Sequence, residues 1–376
     1  MKQGWKIKKL GDVSDIKTGK SNAVDADVNG KFTFFDRSKK IKKSNRYLFD
    51  CEALIIPGEG SQFFPRYYSG KFDLHQRVYS ISNFHKSVNI RFVEYFLIFN
   101  HKHFENVAVG ATVKSLRLRH FTEIEIPLPS LTEQKRIVAI LDKSFTAIAT
   151  AKENAQQNLQ NAKELFESYL QNVFENKGDV WEKKRLDEVC KITSKLIDPK
   201  ESQYKDLIHI GAGNIVSEKG TLIDLKTAKE ENLISGKFLF DESMVLYSKI
   251  RPYLKKIVKC EFKGLCSADI YPLVPYKDKM IQSFLYHLLS SNHFTEYAIE
   301  GSQRAGMPKV NRKHLFEYSF SLPPIKEQQQ IVKKLNSLSA ETKKLEGIYQ
   351  QKINDLEELK KSVLEKAFKG ELKMVN

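Results

Sequence analysis

Cysteine is scarce in this sequence. Four occur in 376 residues, at Cys51, Cys190, Cys260 and Cys266, with no Cys-x-x-Cys pair and no ligand cluster with histidine. Cys260 and Cys266 share a lysine-rich stretch at a spacing poor for zinc, so all four are expected as reduced thiols. Long apolar runs are also missing. No stretch reaches the roughly 20 residues of a membrane span, and the start "MKQGWKIKKL" lacks an apolar signal core. The expectation is a cytoplasmic protein with no membrane partner.

Catalytic signatures are equally sparse. There is no Walker-type loop. "HIGAGNIV" at 209–216 has a lone Gly-x-Gly without a third glycine or a following helix, and reads as a tight strand turn. An amino-methyltransferase would show Asn or Asp before Pro-Pro and an aromatic after it. This chain has "SLPPIK", with Leu322 in front and Ile325 behind. No acidic-lysine pattern marks a nuclease centre. His75 reads as structural, and His101 and His103 as surface residues. The reading is therefore no catalytic residue, no cofactor-binding residue and no metal ligand.

Positive charge is abundant. There are 62 Lys and Arg against 46 Asp and Glu, a net charge of +16, which favours a polyanionic partner such as nucleic acid. At 41% hydrophobic the chain can bury real cores, and its length suggests two or more domains.

The organising feature is a repeat. "IPLPSLTEQKRIVAILDKSF" from Ile126 returns as "FSLPPIKEQQQIVKKLNSLS" from Phe320, 194 residues later. Leu128, Pro129, Glu133, Gln134, Ile137, Val138 and Leu141 fall on Leu322, Pro323, Glu327, Gln328, Ile331, Val332 and Leu335, and His120 falls on His314. Upstream, "GWKIKKLGDVSDI" matches "VWEKKRLDEVCKI" at a shift of 176, aligning Trp5 with Trp181, the only tryptophans. The chain thus holds two copies of one unit: a Trp-led segment, a variable body, a Leu-Pro exit and a helix.

Each helix is expected to be long. After Pro129, with Thr132 as the candidate cap, Ile137, Leu141, Phe145, Ile148, Ala151, Ala155, Leu159, Ala162, Phe166, Tyr169 and Val173 recur at spacings of three and four, and Gly178 ends the pattern. Ile331 to Ala367 repeats it, ending near Gly370. Helices of about 44 residues with narrow apolar seams pair as coiled coils.

The bodies read as mixed. "KFTFF", "ALIIP", "RVYSIS" and "EIEIPL" are strand-like in the first. "KFLF", "MVLYSKI", "KKIVKCEF" and "DIYPLVP" are strand-like in the second. "IRFVEYFLIFNHKHF" at 90–104 and "MIQSFLYHLLSSNHF" at 280–294 read as one helix each. The expected fold is α+β: domains at 1–130 and 181–325 of mixed strands and helices, joined by long antiparallel helices at 131–180 and 326–376 as a coiled-coil spacer. Residues 1–130 carry 22 basic against 13 acidic side chains and 181–325 carry 23 against 18, while 131–180 carry 6 against 7. The basic excess lies chiefly in the two bodies.

Two variable domains, each leaving through Leu-Pro-x-x-x-Glu-Gln into a long helix, resemble the DNA-specificity subunit of type I restriction-modification systems, over essentially the whole chain. "MVLYSKIRPYLKKIV" at 244–258 also looks like a stretch common in such target-recognition domains. The resemblance implies a noncatalytic subunit in host defence. Each domain would read half of a bipartite asymmetric site on double-stranded DNA, and the helices would set the spacing. It also implies two modification (methyltransferase) subunits docked on the helices, which bring S-adenosylmethionine. Restriction subunits would bring ATP and Mg. The alternatives are a coiled-coil scaffold, or a fused DNA methyltransferase with its own activity.

Base and phosphate contacts call for Arg, Lys, Gln and Tyr in exposed loops. In the first body these are Lys17 and Lys20 in "IKTGKSN", Gln62, Arg66, Tyr67 and Tyr68 in a loop "GEGSQFFPRYYSGK", and Lys114 and Arg117 in "GATVKSLR". In the second they are Lys195, then Lys249, Arg251 and Tyr253 in "YSKIRPYLKK", and Gln303, Arg304 and Lys309 in "GSQRAGMPKV".

Overall fold

The computed structural model describes residues 4–176, 178–192, 195–303 and 306–372. The chain forms two compact units, 1–156 with 350–376, and 157–349.

In the first unit, β1 (Lys6–Lys9), α1 (Leu10–Val13) and β2 (Asp15–Thr18) lead into β3 (Phe32–Phe35), β4 (Lys42–Ser44), β5 (Phe49–Pro57), β6 (Arg66–Leu74) and β7 (Val78–Ser82). Then come α2 (Ile90–Phe99), α3 (His101–Val107), α4 (Leu118–Thr122), β8 (Glu125–Leu128) and the start of α5 (Leu131–Glu175). Six strands form one sheet in the order β2-β7-β5-β6-β3-β4, in which only β3 and β6 run parallel. Alternation along β5 explains its two-sided burial. Leu54 and Ile56 join the core with α2 and α5, while Ala53 and Ile55 pack on Phe35, Phe72 and Leu74 on the other face.

The second unit carries β9 (Glu182–Arg185), β10 (Cys190–Lys191), β11 (Leu196–Ile197), β12 (Ile208–Ile210), β13 (Lys226–Thr227), β14 (Lys237–Phe240) and β15 (Val245–Ser248). After these come β16 (Ile257–Lys259), β17 (Gly264–Cys266), β18 (Ile270–Pro275), α6 (Gln282–Ser290), α7 (Asn292–Glu300), α8 (Arg312–Glu317), β19 (Ser319–Leu322) and α9 (Ile325–Lys369). Its strands form a four-stranded sheet, β10-β18-β15-β16, and a five-stranded sheet, β11-β14-β17-β12-β13.

The sequence repeat reappears as identical strand pairing. β1 pairs antiparallel with β8, setting Lys6 against Leu128 and Lys9 against Glu125. β9 pairs with β19 in the same register, Glu182 against Leu322 and Arg185 against Ser319. Each strand pair closes its body and delivers the chain to a long helix.

The Glu-Gln of the motif has a defined task. Gln134 is fully buried. Its Oε1 accepts from the Asn89 N–H at 2.8 Å, and its Nε2 donates to Ser87 O at 3.0 Å and Pro129 O at 2.9 Å. Gln328, also fully buried, accepts from the Ile281 N–H at 3.0 Å and donates to Lys279 O at 2.8 Å and Pro323 O at 2.9 Å. Each amide staples the first turn of a long helix to the loop that opens α2 or α6, satisfying backbone groups that would otherwise be buried unpaired. In the second unit the glutamate acts as well: the Trp181 Nε1–H donates to Glu327 Oε1 at 2.9 Å.

Along α5 the buried positions Leu141, Ile148, Ala155 and Ala162 fall seven apart. Along α9, Leu335 and Thr342 are buried and Tyr349, Leu356 and Val363 half-buried at the same interval. That is the heptad of a coiled coil. Within the first unit, Phe145 lies under the Lys360 ammonium, Lys152 pairs with Glu357, and Arg136 donates to Leu372 O. Residue numbers fall on one helix as they rise on the other, so the segments there run antiparallel. In the second unit Phe174 of α5 and Ile331 and Val332 of α9 share one core.

Several local expectations are corrected. The first cap is Ser130, whose Oγ accepts from the Glu133 N–H at 3.3 Å, and not Thr132, because α5 already begins at Leu131. α5 stops at Glu175, and Gly178 lies where a Cβ would meet the Trp181 ring at 2.8 Å. At the end of α9, Gly370 takes a left-handed φ of +76° just past Lys369. The single helices expected at 90–104 and 280–294 are each two. Asn100 leaves helical geometry between α2 and α3. Ser291 turns extended and caps α7 through the Phe294 N–H. Arg66, Tyr67 and Tyr68 stand on β6, not in a loop, because their backbone pairs with β5.

Removing one staple should be costly. Gln134→Ala leaves the Asn89 N–H and two carbonyls without their side-chain partner, and is expected to destabilise by about 2–4 kcal/mol. Denaturant unfolding measures the loss, and faster amide exchange should appear at Asn89. Gln328→Ala should act likewise at Ile281. A loss under about 0.5 kcal/mol for both, well below the penalty of an unpaired buried group, would contradict the role given to these amides.

Candidate nucleic-acid interface

In the first unit the loop after β5 is knitted to the loop before α4. The Gly60 N–H donates to Lys114 O at 3.0 Å, and the Leu116 N–H to Gly58 O at 2.7 Å. Val109 and Ser115 exchange two backbone bonds that fold the second loop into a tight hairpin. Gly110, with φ +131°, turns it where a Cβ would meet Val113 O at 2.2 Å.

The second unit builds the same pair of loops. The Arg251 N–H donates to Pro308 O at 2.9 Å, and the Val310 N–H to Lys249 O at 2.8 Å. Gly58 and Gly60 map onto Lys249 and Arg251 at a shift of 191, and Lys114 and Leu116 onto Pro308 and Val310 at 194. The backbone scaffold is therefore common to both units, and the side chains on it differ.

The structure brings many of the expected residues to these loops. Gln62 and Lys114 share the first pair, with Arg117 just beyond it; Gln62 and Arg117 are exposed, and the Lys114 Nζ donates to Glu105 O at 2.9 Å. Lys20 is exposed and follows Gly19, whose N–H donates to Val78 O beside the Arg77 turn. Arg251, Tyr253, Gln303 and Lys309 belong to the second pair, with Tyr253 half exposed at 51%. Arg304 lies outside the described residues.

Other expected residues are engaged elsewhere. Lys17 sits on β2 in an exposed ion pair with Asp15 at 3.7 Å. Lys195 is exposed just before β11, at a sheet edge. The Arg66 guanidinium donates to Ser38 O at 2.6 Å and Lys39 O at 3.3 Å, and burial draws its pKa below the usual arginine value. The Tyr67 hydroxyl donates to Glu52 at 2.9 Å, and the Tyr68 hydroxyl to Thr33 at 2.8 Å. The Lys249 Nζ donates to Ala268 O and lies 3.5 Å from Asp269, which Lys309 also reaches at 3.1 Å. Burial, with Lys309 nearby, lowers the Lys249 pKa against the pull of Asp269.

One basic segment lies outside the residues expected from the sequence. "DRSKKIKKSNR" at 36–46 holds six Lys and Arg in eleven residues, and that density was the available signal. Arg66 fixes its carbonyls from below. The Arg37 guanidinium donates to Glu59 at 2.7 Å, and Arg77 pairs with the same carboxylate at 3.2 Å, joining the segment to the first loop pair. Lys39, Lys40 and Lys43 remain exposed. Among the described residues no cluster of three or more His, Cys, Asp or Glu could hold a metal, and no helix is long and apolar enough to cross a membrane.

Two basic heads, each presenting a loop pair on one shared scaffold, define a duplicated DNA-recognition architecture. The family model for the type I restriction modification DNA specificity domain matches residues 2–160 and 178–358. The EcoDI specificity subunit of Escherichia coli is 31% identical over 98% of this chain and 88% of its own length. The MjaVIII specificity subunit of Methanocaldococcus jannaschii is 22% identical over 100% and 94%. In fold, a chain from a solved type I R-M system superposes with a TM-score of 0.74 at 16% identity over 99% of both chains. The HsdS subunit from Thermoanaerobacter tengcongensis gives 0.57 at 18% identity over 98% of both. The chain belongs to the type I restriction-modification DNA specificity family, and its role is DNA-sequence specificity. Neither a bare scaffold nor a fused methyltransferase is favoured.

Replacing Lys39, Lys40 and Lys43 together by Gln should weaken binding to every duplex alike. The slope of log affinity against log salt should fall by up to about 0.9 for each phosphate no longer neutralised. Anisotropy titrations at several salt concentrations read both effects, and an unchanged slope would place the segment off the DNA.

Proposed function

We propose that each head reads one half of a bipartite, asymmetric site on double-stranded DNA, and that the length of the long helices sets the gap between the halves. The observation that carries this reading is the loop pair built twice on one backbone scaffold with different side chains. A duplicated scaffold keeps the approach to DNA the same, and the exchanged side chains let the two halves of the site differ.

The chain acts as the noncatalytic subunit. In this reading the methyl transfer belongs to two modification subunits that bind S-adenosylmethionine and dock on the duplicated helix motif. Restriction subunits with ATP and Mg join the same complex. What this chain supplies is position: Arg, Lys and Gln side chains in the loops fix which adenines its partners meet. The family membership supports a partnered role, and the cytoplasm is where such a complex would meet the genome.

Exchanging residues 1–130 for the corresponding domain of a relative with a different target tests the modular reading. One half of the methylated site should change while the other half and the gap persist. A change in both halves would overturn it.

A further inference from the structure

Two heads on one scaffold that read different half-sites must differ at the scaffold positions that meet DNA. The sharpest such difference is at Gly60 and Arg251. Both donate their backbone N–H to the facing loop at equivalent positions, and both have positive φ, +134° and +50°. Glycine takes such a conformation freely, whereas arginine does so against the clash of its Cβ. An arginine in that conformation points to a task for its side chain.

The turn around Arg251 fixes the backbone from which that side chain projects. Pro252 is buried and opens a 3₁₀ turn, Pro252–Leu254, closed by the Leu254 N–H on Arg251 O at 2.9 Å. Lys255, at φ +43°, ends the turn with a second left-handed residue. The neighbouring ammonium groups are committed, since Lys249 and Lys309 share Asp269. Arg251 is exposed, and among the described residues no hydrogen bond or ion pair engages its guanidinium. A planar fork of donors on a rigid turn matches the two acceptors, O6 and N7, that guanine shows in the major groove.

We propose that Arg251 is a specificity-determining residue of the second head, donating two parallel hydrogen bonds to one guanine of the second half-site. This rests on the two-head reading above. The test uses the full chain assembled with its modification partners and a duplex library randomised through both half-sites, scored by which duplexes become methylated. The native complex should select guanine at one position of the second half-site by about ten- to a hundredfold. Arg251→Gly suits the left-handed backbone and removes the guanidinium, so it should erase selection at that position alone. Arg251→Lys keeps the charge without the planar fork and should weaken the preference, while leaving the salt dependence as it was. The proposal is overturned if Arg251→Gly keeps the preference. It is also overturned if that variant loses affinity for all sequences equally with a shallower salt slope, because that is the signature of a phosphate contact. A native complex with no two-part selectivity would overturn the two-head reading itself, an outcome separate from either of these.

Discussion

The buried glutamine amide at the head of each long helix is the contact on which the rest depends. A helix N-terminus leaves backbone groups in need of partners, and a chain crossing from strand to helix beside a second helix buries several at once. Gln134 and Gln328 each answer with one acceptor and two donated bonds, all to backbone. Backbone partners make the staple independent of the surrounding side chains. A recognition body could therefore diverge in sequence while its helix kept the same seat. That is the physical reason a short Glu-Gln motif survives in both copies when most of the intervening sequence does not.

Just beyond the staple, the copies show how a shared scaffold tolerates exchange. Asp142 accepts from the Tyr95 hydroxyl and lies 3.4 Å from the Arg91 guanidinium. At the matching place Asn336 Oδ1 accepts from His287 Nε2 at 3.2 Å. Burial pushes the His287 pKa down to about 4, so the ring is neutral near pH 7. The position matching Arg91 is Ser283, whose Oγ accepts from the Lys259 Nζ at 2.9 Å. Acid with arginine and phenol, or amide with neutral imidazole: each set is internally consistent.

How much was legible in the sequence follows from what local patterns encode. The two-unit α+β architecture, the long helices and the strands "ALIIP", "RVYSIS" and "EIEIPL" were readable because burial imposes a period on them. β6 was not. Its "RYYSGK" start looks like a loop, and only pairing with β5 makes it a strand. The breaks at Asn100 and Ser291 sit inside apolar runs that periodicity joins across. For the candidate interface, sequence singled out both loops as separate stretches but could not show that residues 58–62 and 109–116 are bonded together, since that depends on pairing between segments some 50 residues apart. It also could not show that the polar atoms of Tyr67, Tyr68 and Arg66 are bonded to other residues of the head. The basic run at 36–46 was visible as composition, and its link to the loop pair through Glu59 was not.

On the two-head reading, duplication gives two readers, stapled alike and armed differently, so the target should carry the same signature. The most direct measurement is a map of methylated adenines in the host genome, with and without the gene for this chain. The account predicts one motif that depends on the gene, made of two unlike halves separated by a fixed unspecified gap. A gene-dependent motif that is continuous, or halves that are read at variable spacing, would contradict it.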